Sequence, residues 1–274
     1  MPALSDLRWT ELPDASGLLL VVPVGATEQH GPHLPFTTDT DIAVALAEGL
    51  DRERDGVVVA PPVAFGSSGE HQAFPGTLSI GRKATELLLV ELGRSATETF
   101  DRVLLLSTHG GNVDPVNGAV RLLRAEGRDV RAWSPRWEDL HAGHAETSVL
   151  LALAPERVRG EHAVRGDVRP LDEVLPLLAR DGVRVVSPTG VLGDATTASA
   201  EAGRTLLRRA AADLAVTVER WAGATRGGTP PGGVRSGDGG PAGDGARSSD
   251  DVRRAGVRRA GIHEPGSAVG RAGV

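Results

Sequence analysis

Residues 18–39 read LLLVVPVGATEQHGPHLPFTTD. The short apolar run Leu18–Pro23 suits a β-strand, and similar runs recur at Val57–Pro61, Val103–Ser107 and Val130–Trp133, with a weaker one at Val183–Val186. Between them lie helix-like stretches, predicted at Thr40–Leu50, Arg82–Phe100, Pro115–Glu126, Glu146–Leu153 and Thr196–Trp221. Short β-rich runs alternating with helices are the signature of a parallel sheet covered by helices, an α/β fold. Asp114 followed by Pro115 reads as an N-cap with proline at the first helical position, and Gly127 as a stop. In such a sheet the loops after the strand C-termini gather at one edge, where ligands bind. The polar motifs of this chain fall on those loops.

The chain has 274 residues, no cysteine and a net charge of −6. Lack of cysteine excludes disulfides, thiolate metal sites and a thiol nucleophile. No basic cluster followed by a long apolar run opens the sequence, so neither a signal peptide nor a membrane span is expected, and the chain is placed in the cytoplasm. From Gly223 to Val274 there are 15 glycines and eight arginines against five acids. Such a composition cannot offset its ordering entropy, so residues 223–274 read as a disordered Gly/Pro/Arg-rich tail and residues 1–222 as the folded domain. Because the tail is net basic, the domain is more acidic than the whole chain, which argues against a nucleic-acid groove.

After the first strand, Glu28, His30 and Asp39 fall within twelve residues. Glu28 and His30 are two apart, so in an extended segment both side chains leave on one side, and Asp39 has two oxygens with which to bridge two ions. His109 projects from the end of the third strand, beside glycines that let the chain turn. Following the fourth strand come Trp137, His141, His144 and Glu146, the last in the first turn of an apolar helix, where the helix dipole favours a carboxylate. A single strand-end histidine is more often a hydrogen-bonded structural residue than a ligand. Five candidate ligands, Glu28, His30, Asp39, His109 and Glu146, on loops sharing one edge change that balance. Nitrogen and oxygen donors without sulfur suit Zn, Fe(II) or Mn. His141 and Glu146 could supply a ligand and a proton carrier for water attack on a carbonyl.

The segments PVGATEQHGPHLPFTTD, SSGEHQAFPGTLSIG, THGGN, HAGHAET and TGVLGDATTASAEAG, in this order between Leu18 and Trp221, resemble the creatininase family of metal-dependent amidohydrolases. The resemblance implies a three-layer α/β/α fold with a mainly parallel sheet and a metal site at the strand C-terminal edge. It implies one or two divalent ions, with Glu28 and His109 on one, His30 on the other and Asp39 bridging. A carboxylate that creatininase carries two residues after the strand-end histidine is replaced here by Gly111. Glu146 either fills that vacancy or keeps an acid/base role beside His141, which leaves the second ion weak or absent. By the same likeness Trp137 is a candidate substrate wall. Glu70 and His71 are expected to contact substrate, Gly76 and Thr77 to shape the pocket floor, and His144 to stand behind the ligands. Wording such as GEHQAFPGTLSIG and GVLGDATTASAEAGR is most similar to the branch that processes a radical-enzyme-modified precursor peptide in mycofactocin biosynthesis, releasing its C-terminal Val-Tyr-derived unit. This implies a peptidase in peptide maturation with the modified precursor peptide as partner, no nucleic-acid or membrane partner, and a homo-oligomer, often a hexamer. Two other readings stay open. One is an amidohydrolase or deformylase acting on a small cyclic amide or formamide; the other is a non-catalytic metal-dependent peptide-binding protein.

Overall fold

The structure is a computed structural model and describes residues 3–12 and 17–226. The strands are β1 (Leu19–Val24), β2 (Val57–Val59), β3 (Arg102–Ser107) and β4 (Val130–Trp133). Among the described residues they form one parallel sheet in the order β2-β1-β3-β4. Leu19 stands level with Val57 on one side and Arg102 on the other, and Val24 stands level with Ser107, so the two central strands β1 and β3 begin and end together. The helices are α1 (Thr38–Glu53), α2 (Arg82–Ala96), α3 (Val113–Ala125), α4 (His144–Leu153), α5 (Leu171–Asp181), α6 (Val183–Val186) and α7 (Ala200–Arg226).

Side chains alternate across a strand, and here both sets are buried. Leu19, Val21, Leu104 and Leu106 face one way, against Ile42 and Leu46 of α1, Leu150 of α4, and Leu214 and Trp221 of α7. Leu20, Val22, Val103 and Leu105 face the other, against Leu89 of α2 and Leu123 of α3. A sheet buried on both faces between two helix layers is the expected three-layer α/β/α architecture, and burial of each large aliphatic side chain contributes about 1.5–3 kcal/mol. The indole of Trp133 donates to Asp213 at 2.9 Å and that of Trp221 to Asp129, also at 2.9 Å, so the polar edges of both rings are satisfied where α7 crosses the sheet.

Two local expectations fail. Val183–Val186 forms helix α6, not a strand. Only Val183 of this run is well buried, while Val185 is exposed, and the run has no ladder to join; a helical turn closes its own hydrogen bonds instead. At α3 the N-cap is Asn112, and Asp114 lies within the first turn without capping it. The Asn112 side chain is itself committed elsewhere, accepting from the Ser67 N–H and donating to the Gly25 carbonyl, each at 2.9 Å. Gly127 does end the segment, in the left-handed region at φ 81°. The last helix runs through Arg226, past the predicted start of the tail at Gly223, and residues 227–274 lie outside the described residues. Among the described residues no helix is long and apolar enough to cross a membrane.

Candidate metal centre

The loops after β1, β2, β3 and β4 meet over the C-terminal edge of the sheet. The β1 loop is pinned on both sides, by Glu28 N–H to the Phe36 carbonyl at 3.1 Å and by the Thr27 hydroxyl to the Ala64 carbonyl at 2.8 Å. Asn112 links this loop to the segment after β2 and to the turn after β3. Asp39 sits in the first turn of α1, whose backbone is held by the Thr108 hydroxyl donating to the Asp39 carbonyl at 2.7 Å. His109 follows β3 directly. Ala142 adopts a left-handed φ of 51°, and its N–H donates to Glu146 Oε2 at 2.6 Å, a bend that brings the β4 loop and the first turn of α4 together.

Glu28, His30, Asp39, His109, His141 and Glu146 are all buried and lie in one cluster. Asp39 is shared: Oδ1 is 3.4 Å from His30 Nε2 and Oδ2 is 3.6 Å from His109 Nδ1. Glu28 Oε2 lies 3.1 Å from His109 Nε2, and Glu146 Oε2 lies 3.8 Å from His30 Nε2. Among the described residues three sets of donor atoms are close enough to hold a cation: Glu28, Asp39 and His109; His30, His141 and Glu146; and Glu28, His71 and His141.

Hydrogen bonds to backbone carbonyls fix the neutral tautomers of three of these histidines. His30 Nδ1–H donates to the Glu28 carbonyl at 3.1 Å, His109 Nε2–H to the Ser67 carbonyl at 2.9 Å and His141 Nε2–H to the Gln29 carbonyl at 2.8 Å. In the neutral ring the other nitrogen of each is left as a lone pair directed among carboxylates, the arrangement that orients metal-binding imidazoles. Both oxygens of Glu28, His30 Nε2 and Asp39 Oδ2 are buried with no hydrogen-bond partner. Buried polar atoms are seldom left so, and divalent cations held among them would satisfy them; the donor set fits such ions.

Without a cation, the crowded charges hold protons that a metal ion would displace. Burial pushes the Glu28 carboxyl up to about 8 and that of Glu146 up to about 7. Burial alone would lower His30, but the charges of Asp39, Glu146 and Glu28 outweigh it and raise it to about 10. His141 is driven well below its ordinary value, first by burial and then by the charge of His30, so its imidazole is neutral.

The other expected site residues are distributed differently. His71 is buried inside the cluster, with Nε2 3.2 Å from Glu28 Oε1. Glu70 is partly exposed and reaches to 3.8 Å from His109 Nε2. A Cβ added at Gly111 would collide with the Ser67 carbonyl, Glu70 Oε1 and His109 Nε2, so the space beside this glycine is already taken by the Glu70 carboxylate. The Thr77 hydroxyl accepts from the Gln29 N–H at 3.2 Å, and Gly76 is in the left-handed region. Trp137 packs on the core and lines an open cavity of about 850 Å³ together with His144, Arg169 and Arg209. His144 bonds the Thr197 hydroxyl at 2.9 Å and takes no part in the cluster. Sequence reasoning passed over Gln29, whose side chain touches both His71 and His141; its only sequence signal is its place between two candidate ligands.

The sequence model of the Creatininase family, described as creatinine amidohydrolase, matches residues 5–218. The mycofactocin precursor peptide peptidase of Mycolicibacterium smegmatis is 50% identical over 212 residues, 74% of this chain and 85% of that protein. Creatinine amidohydrolase of Pseudomonas putida is 30% identical over 239 residues, covering 74% and 90%. A crystal structure of creatinine amidohydrolase superposes with a TM-score of 0.69 at 26% identity, over 84% of this chain and 98% of the other. Solved creatininase forms described as Mn and as Zn-Zn type give TM-scores of 0.65 and 0.67 over 83% of this chain and 98% of each, also at 26% identity.

Proposed function

The chain belongs to the creatininase family of metal-dependent amide hydrolases, and on that footing we propose that it is the peptidase of mycofactocin biosynthesis, cutting the modified precursor peptide to release its C-terminal Val-Tyr-derived unit. The observation that carries the reading is the sharing of Asp39 between His30 and His109, with Glu28 and Glu146 beside them.

Glu28, Asp39 and His109 would hold one divalent ion, and His30 and Glu146, with Asp39 shared from the first, a second. Zinc, Fe(II) and manganese all suit these donors. When bound, such ions supply Lewis acidity that brings the pKa of water from about 15.7 to about 7, so no strong base is needed at neutral pH. The chain's own contribution is position and proton traffic. His141, neutral and tied by Nε2–H to the Gln29 carbonyl, presents Nδ1 as the atom that takes a proton and returns it to the departing amine. Glu146 is steadied by the Ala142 N–H, which holds its carboxylate on His30. Glu70 and Trp137 are the proposed contacts for the peptide. The working unit is proposed to be a homo-oligomer.

The test is incubation of the purified protein with the modified precursor peptide, anaerobically, with zinc, Fe(II) or manganese in turn, followed by mass analysis. A peptide shortened by its C-terminal unit is expected. Cleavage of small cyclic amides or formamides alone would assign the chain to another branch of the family. A peptide returned intact after a single turnover would identify a binding protein.

A further inference from the structure

His71 differs from the three histidines whose N–H groups are spent on backbone carbonyls. Its Nδ1 lies 2.8 Å from Gln29 Nε2. The orientation of the Gln29 amide is fixed twice: its oxygen accepts from the Gly31 N–H at 2.8 Å, and its nitrogen donates to the Gly190 carbonyl at 3.2 Å. The two amide hydrogens are therefore directed to Gly190 and to His71 Nδ1, and none remains for His141 Nε2, which uses its own hydrogen on the Gln29 carbonyl. A nitrogen that accepts carries no proton. In neutral His71 the proton must then be on Nε2, the atom 3.2 Å from Glu28 Oε1. Room for the amide comes from Gly190, at φ 81°, where a Cβ would collide with Gln29 Oε1.

We infer that Gln29 holds His71 as the Nε2–H tautomer, so that His71 turns a proton and not a lone pair toward Glu28 and is not a metal ligand. Of the three donor sets, the one containing His71 is thereby removed, leaving Glu28 with Asp39 and His109, and His30 with His141 and Glu146. The inference rests on the proposed metal centre, but it concerns a residue outside the proposed ligands.

Zinc titration of the whole protein by calorimetry tests it. His71→Gln keeps a donor, and it should bind as many zinc ions per chain as the wild type, with affinity within about threefold. His71→Ala, which removes the proton facing Glu28, should keep the zinc count and lose about tenfold in affinity, the usual scale for groups behind a ligand. Loss of one zinc per chain in His71→Gln alone would overturn the inference. Failure of the wild type to bind zinc would instead overturn the metal centre on which it rests. The second measurement needs no His71 variant: in zinc-loaded wild type labelled with 15N-histidine, His71 should carry a proton on Nε2 and none on Nδ1. A proton on Nδ1 contradicts the assignment. Gln29→Glu, unable to donate, should move the proton to Nδ1 and weaken zinc binding about tenfold.

Discussion

His30 Nε2 lies 3.4 Å from Asp39 Oδ1, although one residue belongs to the loop after β1 and the other to the first turn of α1. The opposite oxygen of Asp39 faces His109 from the end of β3. One carboxylate thus joins two half-sites that separate segments deliver.

Replacing Asp39 with alanine should therefore disable both half-sites at once. Activity is expected to fall by roughly a thousandfold or more, equivalent to about 4 kcal/mol of transition-state stabilisation, and metal content by at least one ion per chain. Metal analysis and peptide turnover on a protein with an unchanged circular dichroism spectrum check this. Full activity in a metal-free Asp39→Ala protein would end the proposal.

Metal binding should strengthen as pH rises from 6 to 8.5. Glu28 near 8 and Glu146 near 7 carry protons that a cation must displace. The same groups set the stability of metal-free protein. Their folded pKa values exceed the ordinary 4.5, so the folded chain holds protons that the unfolded chain has lost, and stability falls as pH rises from 4.5 through about 8. His30, raised from 6.5 to about 10, adds stability that is complete below 6.5 and is lost as pH rises through 10. His71 and His141, both lowered, act only below 6.5 and so do not oppose the trend above neutrality. Melting of the metal-free protein should drop from pH 7 to pH 9, and zinc should reverse the drop; a metal-free melting temperature that rises over this interval would contradict the argument.

Gly111→Ala should reduce activity at least about tenfold. The new methyl group meets the Ser67 carbonyl, the Glu70 carboxylate and His109 Nε2, and the first and last, hydrogen-bonded to each other, cannot swing aside. Turnover together with zinc affinity measures the effect. Unchanged values for both would show that Glu70 leaves without consequence.

Leu104→Ala should cost about 2–5 kcal/mol of stability while leaving zinc stoichiometry intact. The side chain is fully buried in the layer that also holds Ile42 and Leu214, distant in kind from the polar cluster. Denaturant unfolding and calorimetry separate the two effects.

Removing residues 227–274 should leave hydrolysis and metal binding unchanged, because the family match ends at residue 218 and every proposed ligand precedes it. Loss of turnover in the shortened chain would assign the tail a part in catalysis.

The layered architecture was legible because it depends on local pattern. Runs such as Leu18–Pro23 and Val103–Ser107 have no polar face, so they must be covered on both sides, and the helices between them supply the cover. Val183–Val186 has the same local chemistry and is a helix, since strand preference is expressed only where a ladder has room for another member. Asp114 carried a helix-start signal in sequence, yet the cap fell to Asn112, whose side chain is spent on Ser67 and Gly25.

The amino-acid order by itself determined the kinds of donor available, with no sulfur among them, and the strand ends from which they hang. It could not determine which ring nitrogen of each histidine is free, nor that His71 lies within the cluster while His144 lies outside it. Those outcomes turn on hydrogen bonds between segments far apart along the chain, such as Gln29 with Gly190, and on distances of a few tenths of an ångström. Residue types repeat with local periods and can be read locally; the direction of a lone pair is set by whichever carbonyl packing brings to the other side of the ring, and that exists only once the layers have closed.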